Sequence, residues 1–145
     1  MTSCLFSVTM LVTLAGATPS DVRWLDNYGV GLEVAKASGQ PLLVILDNPA
    51  QPGQTMRQVS QRTDSTQRVL LGHYTLCHVD VSTRYGRRVA RAFRATEFPY
   101  TTIIDKTSTA ILYRKTGVLD DRQWITTLAN YRTGTRPYHP AICFS

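Results

Sequence analysis

Pro41-Leu42-Leu43-Val44-Ile45-Leu46-Asp47-Asn48-Pro49-Ala50-Gln51-Pro52-Gly53-Gln54 is the stretch on which the fold turns. Aliphatic residues run without interruption from Leu42 to Leu46, with no alternation to polar ones, and such a run suits a central strand covered on both faces. Pro49, Pro52 and Gly53 then predict a loop, after which Thr55 or an earlier residue can cap a helix running to about 71. Met56, Val59, Val69 and Leu70 would form the apolar face of that helix. Its middle, 60–67, is polar, which predicts a helix that is solvated or broken there.

Upstream, Trp24, Leu25, Tyr28, Leu32 and Ala35 recur at helical spacing and Gly39 gives a stop signal, so 22–38 is expected as a first helix. Downstream, 74–81 reads as a second strand. Tyr85, Val89 and Phe93 then follow at intervals of four and define a short amphipathic helix. Glu97-Phe98-Pro99 breaks it and leads into a strand over 100–105; 106–109 forms a turn and 110–115 the next strand, together an antiparallel hairpin. Asp120 or Asp121 can cap a last helix carrying Trp124, Ile125, Leu128 and Tyr131, ending near Gly134. The tail, 135–145, reads as irregular.

The 145 residues fit one domain, and 43% hydrophobic content suffices for a single core. Lys and Arg outnumber Asp and Glu by 16 to 10, an excess that favours acidic or phosphorylated partners electrostatically. Residues 1–20 carry no charge, and the mostly apolar stretch 5–14 precedes Ala15-Gly16-Ala17, a small-x-small cleavage pattern; 1–17 therefore reads as a signal peptide and the protein as periplasmic or secreted. If the segment is instead a buried or fraying helix, the protein is cytoplasmic. The stretch is too short for a membrane span. Cleavage after Ala17 removes Cys4 and leaves Cys77 and Cys143, which can pair in an exported protein. Cys77 also fits a buried inert thiol in an apolar strand.

The order helix, strand, helix, strand, helix, strand, strand, helix implies a mixed sheet between helical layers. Trp24, Ala35-Lys36, Pro41-Leu42-Leu43-Val44, Val79-Asp80-Val81, Phe93, Phe98-Pro99-Tyr100-Thr101 and Arg114-Lys115-Thr116-Gly117 stand in an order and spacing that resemble the thioredoxin-like superfamily, especially its exported bacterial members. The resemblance covers the expected domain at 22–134 and implies a three-layer α/β/α fold with a C-terminal hairpin and helix. It implies a cis Pro99, with Phe98, Pro99 and Tyr100 beside a groove for an extended peptide. It also places the family's Cys-x-x-Cys at 50–53, where this chain has Ala50 and Gly53. Neither can form a thiolate, so thiol-disulfide exchange at that motif has no nucleophile. The family's buried acid falls near Val44 and its nearby lysine at about Leu76, so no proton-transfer group stands at either position.

Arg84, Arg87, Arg88, Arg91 and Arg94 follow helical spacing opposite Tyr85, Val89 and Phe93 and form one basic face. Such a face is a solvated helix side or a contact for anions. No nucleic-acid motif accompanies it, and nucleic acid is not the expected partner. His73, His78 and His139 lack metal-ligand spacing, and no metal or other cofactor is expected. His78 follows Cys77 in a strand and so points to the opposite face. The expected function is a noncatalytic thioredoxin-fold domain binding an extended peptide or protein partner. The alternatives are a redox protein using Cys77 and Cys143, or a module using the arginine face on an anionic surface.

Overall fold

A computed structural model describes residues 22–60 and 64–138. Residues 1–17, expected as a signal peptide, and His139 and Cys143 lie outside them. Strand β2 (Leu42–Asp47) is buried at all six positions, as an uninterrupted aliphatic run requires. It pairs in parallel with β3 (Thr75–Asp80) and antiparallel with β4 (Tyr100–Ile104). β3 pairs in parallel with the short β1 (Trp24–Leu25), and β4 antiparallel with β5 (Ile111–Thr116). The sheet order is β1-β3-β2-β4-β5. The mixed α/β architecture with a C-terminal hairpin and helix is the expected one.

Alternating side chains of β2 enter two cores. Leu42, Val44 and Leu46 pack with Cys77, Val79, Tyr100 and Ile104 beneath α1 (Tyr28–Ser38) and α4 (Arg84–Phe93), which contribute Ala35, Val89, Ala90 and Phe93. Leu43 and Ile45 pack on the other face with Leu76, Ile103, Leu71, Trp124 and Leu128. Leu71 ends α3 (Ser65–Leu71), and Trp124 and Leu128 belong to α5 (Asp121–Tyr131). Burying one Leu or Ile contributes about 1.5–3 kcal/mol, so the two cores are the main favourable term. Tyr74 Oη adds a long-range tie, donating to the Leu128 carbonyl at 2.6 Å. No helix among the described residues is long and apolar enough to cross a membrane.

Two boundaries and one burial differ from the sequence expectation. Trp24 and Leu25 are a strand, and the helix starts at Tyr28, because the Asn27 side chain accepts the Val30 N–H at 3.1 Å and caps it there. Gly39, at φ 66°, ends it in the left-handed region. The helix expected to reach 71 is two: α2 (Arg57–Ser60), and α3, which restarts where Asp64 accepts the Gln67 N–H at 2.8 Å. Tyr85, expected in the core, is 37% exposed; its hydroxyl accepts the Tyr28 N–H at 2.9 Å.

The hairpin turn is organised by Asp105, which accepts the N–H groups of Thr109 at 2.7 Å and Ala110 at 2.9 Å. Burial alone would raise the Asp105 carboxyl, but hydrogen bonds from the Thr107 side chain and from the Ala110, Thr109 and Thr107 N–H groups outweigh it and hold the pKa at about 2. At α5, Asp120 and Gln123 form a capping box.

Helix α4 crosses the sheet at Gly86, where a Cβ would sit 1.8 Å from the Asp80 carbonyl oxygen. Gly86→Ala should therefore push α4 off β3 and cost about 2 kcal/mol, read as a lower urea midpoint at constant slope.

Candidate functional site

Register places three chain connections at one end of the sheet. Asp47 lies opposite Asp80, and Leu46 opposite Tyr100. The ends of β2 and β3 and the start of β4 therefore meet, bringing together the loop after β2, the Val81–Thr83 connection and the Phe98-Pro99 turn. The Val81 N–H donates to the Asp47 carbonyl at 2.9 Å, and the Gly117 N–H to the Pro99 carbonyl at 2.7 Å.

The Phe98-Pro99 peptide is cis. Pro99 and Tyr100 are buried while Phe98 is half-buried, packed against the first core. Neither the N–H nor the C=O of Phe98 takes part in a strand ladder or loop hydrogen bond among the described residues. The turn thus offers an unpaired main-chain donor and acceptor beside an aromatic ring.

Facing it, the loop from Asn48 folds on itself. The Gln51 N–H donates to the Asn48 carbonyl at 3.0 Å, the Gln54 N–H to that of Gln51 at 2.9 Å, and the Asn48 N–H to that of Gln54 at 3.0 Å. Pro52–Gln54 form one 3-10 turn. The helix that follows, α2, has four residues and begins only at Arg57. Ala50 and Gly53 are exposed on this loop, three and more residues ahead of any α-helical turn. The strong helix-terminus field that lowers a thiol pKa is weak at such a distance, since it falls off within one turn.

Asp47 closes the loop from below. It is 1% exposed; its Oδ2 accepts the buried Met56 N–H at 2.8 Å, and its Oδ1 lies 2.6 Å from His78 Nε2. This pair was not singled out from sequence, where His78 is read only as lacking metal-ligand spacing and facing away from Cys77. Asp47 ties the strand end to Met56, the residue just before α2. A polar residue ending an aliphatic strand, beside an inward-facing histidine of its neighbour, is the signal that could have found the pair. Val44 and Leu76, where the resemblance put the family's acid and lysine, are buried and apolar, and both lie in the packed cores.

No protein-family model matches the chain, and no curated protein matches it. Solved structures do. A thioredoxin from Thermus thermophilus superposes with a TM-score of 0.61 at 21% identity, over 74% of this chain and 84% of its own. The DsbH oxidoreductase gives 0.59 at 16% identity, over 90% and 96%, and chloroplastic thioredoxin z gives 0.56 at 20% identity, over 79% and 99%. The fold is thioredoxin-like. Within that thioredoxin-like frame, the cis proline, its flanking Phe98 and Tyr100, and the loop bearing Ala50 and Gly53 sit at one end of the sheet.

The remaining sequence candidates lie elsewhere. Cys77 is buried in the core under α1, on the opposite face of β3 from His78. Burial chiefly, and the nearby Asp26 charge secondarily, push its thiol up to about 12. Its potential partner Cys143 lies outside the described residues. Arg84, Arg87, Arg88 and Arg91 line one cleft on α4. Arg94 does not join them, because it ends the helix in the left-handed region at φ 56°. The largest described cleft, about 520 Å³, lies where β3 begins and is lined in part by Val22, Leu25, Leu71 and Tyr74.

Two outcomes follow. Asp47→Ala leaves the buried Met56 N–H without its acceptor, and a loss of about 2 kcal/mol is expected in urea unfolding. Cys77 should resist alkylation in the native protein at pH 8 and react fully once unfolded. Because the unfolded thiol releases its proton from about 9 and the native one only near 12, stability is full below pH 9 and falls progressively between those values. A Cys77→Ser melt series across that range, flatter than that of the wild type, checks the assignment.

Proposed function

We propose that this chain is a noncatalytic binding domain of the thioredoxin-like fold, exported to the periplasm or beyond, which holds an extended peptide or a partner's loop against the Phe98-Pro99 turn. The observation that carries this reading is the unpaired main chain of Phe98 beside a cis proline; it is supported by the resemblance, which implies that the family's two cysteines would fall at Ala50 and Gly53 on the loop at the same end of the sheet. An extended segment laid along Phe98 would gain main-chain hydrogen bonds of the strand-addition kind, and the half-buried ring would supply apolar contact. The loop keeps its shape through its own hydrogen bonds, so the surface is preorganised and less ordering accompanies binding.

Chemistry at this site has no nucleophile to start it. Cys77 does not replace the missing pair, since its thiol is buried on the other side of β3 and stays protonated through the physiological range. The uncharged, apolar stretch at 5–14 followed by Ala15-Gly16-Ala17 supports export.

Selection from a phage-displayed random peptide library on the mature protein should enrich extended sequences, and Phe98→Ala should weaken the best of them roughly tenfold while insulin reduction stays at background. Peptides bound equally well by the Phe98 variant would sink the groove. Insulin reduction above background would return the protein to redox chemistry.

A further inference from the structure

Helix α4 carries Arg84, Arg87, Arg88 and Arg91 at helical spacing, all exposed, around a cleft of about 330 Å³. None of the four has an ion pair among the described residues. Their one side-chain hydrogen bond there runs from Arg87 Nη1 to the Ser82 carbonyl at 2.5 Å, which draws that guanidinium back toward the start of the helix. α4 contains no acidic residue, and the nearest one preceding it in sequence, Asp80, already accepts the Ser82 N–H at 2.8 Å.

This placement works against the helix in two ways. Arg84 stands at the first helical position, just after the Thr83 cap, where the helix macrodipole disfavours positive charge. Arg84 and Arg88, and Arg87 and Arg91, stand four residues apart, where like charges repel. The helix forms because other groups hold it. Thr83 Oγ1 accepts the Gly86 N–H at 2.9 Å, Gly86 fits against Asp80, and Val89, Ala90 and Phe93 are buried. Apart from the Arg87 bond to Ser82 and the placement of Arg91 in the last turn, where the macrodipole favours a cation, the arginines add repulsion rather than support, and an anion placed among them removes that repulsion.

We propose that the α4 cleft binds the phosphate chain of a di- or triphosphate. Guanidinium forks match tetrahedral oxyanions with paired N–H donors. Four of them converging on one cleft favour a ligand with several negative charges close together over a single carboxylate. The whole helix is about 15 Å long, which suits a compact chain better than a polymer. No exposed ring lies free in the cleft to stack a base: its four lining residues are arginines, and the Tyr85 hydroxyl is engaged by Asn27 and Tyr28. The site does not depend on the peptide surface.

Titration calorimetry of the full chain with sodium tripolyphosphate tests this, with pyrophosphate, ATP and phosphatidylglycerol vesicles in parallel. Saturable one-to-one binding of tripolyphosphate is expected, weakening as salt rises. Replacing Arg84, Arg87, Arg88 and Arg91 by Ala should weaken it by at least about tenfold. The same number of charges removed at Arg23, Arg114, Arg122 and Arg136 should leave it nearly intact. Thermal melts keep the result readable: the α4 variant should melt no lower than the wild type, and tripolyphosphate should raise the melting point of the wild type alone. ATP binding as tightly as tripolyphosphate supports a site for the phosphate chain alone. Equal weakening by both quadruple variants overturns the proposal in favour of net charge. Vesicle binding without tripolyphosphate binding overturns it in favour of a membrane contact, and so does the absence of any heat or melting shift.

Discussion

Strand β2 has no solvent face. Six consecutive buried positions oblige the chain to supply a helical layer on each side, and once that is done most of the architecture follows. Even-numbered side chains commit one core to α1 and α4, odd-numbered ones the other to α3 and α5. Parallel pairing with β3 and antiparallel pairing with β4 then bring the end of β2 beside Asp80 and Pro99. The surface with the cis peptide is a consequence of that register.

The same strand ends on Asp47, a buried carboxyl at the edge of the second core. A carboxyl placed there must be satisfied, and it is, by Met56 N–H and His78 Nε2. The cost of burial thereby becomes a clasp that fixes the length and path of the 48–55 loop. Ala50 and Gly53 stand exposed in that loop, and its 3-10 turn closes on main-chain carbonyls. The loop's shape is held without any residue that reacts.

The sequence was most legible where one physical rule acted alone. The aliphatic run at 42–46, the Asp120 cap and the Val89 and Phe93 face each answer to a single periodicity or cap, and the structure agrees. Trp24 and Leu25 were misplaced because they share helical spacing with Leu32 and Ala35. Only the competing cap at Asn27 decides where the helix begins, and the strand at 24–25 exists through pairing with Leu76 and Cys77, some fifty residues away. Asp47 and His78 were missed for the same reason. Their contact spans two strands, so each residue's signal points to the other only once the pairing of β2 with β3 is known. The cis Pro99 could be placed by the order of landmarks along the chain, since those around it are strand and turn signals, and the structure shows the cis peptide.

Helix α4 shows how this molecule separates stability from surface chemistry. Its inner face carries every contact that holds it to β3, and the close approach at Gly86 leaves little freedom in its position. Its outer face carries four arginines in an arrangement that local electrostatics disfavours. A solvated face chosen for solubility alone would be better served by mixed signs, because Glu and Lys four apart add stability that like charges remove. The unmixed face is affordable because the inner face is strong enough to carry it. Its repulsion is also stored where an incoming polyanion can release it, so anion affinity and helix strain at α4 are two readings of the same four charges.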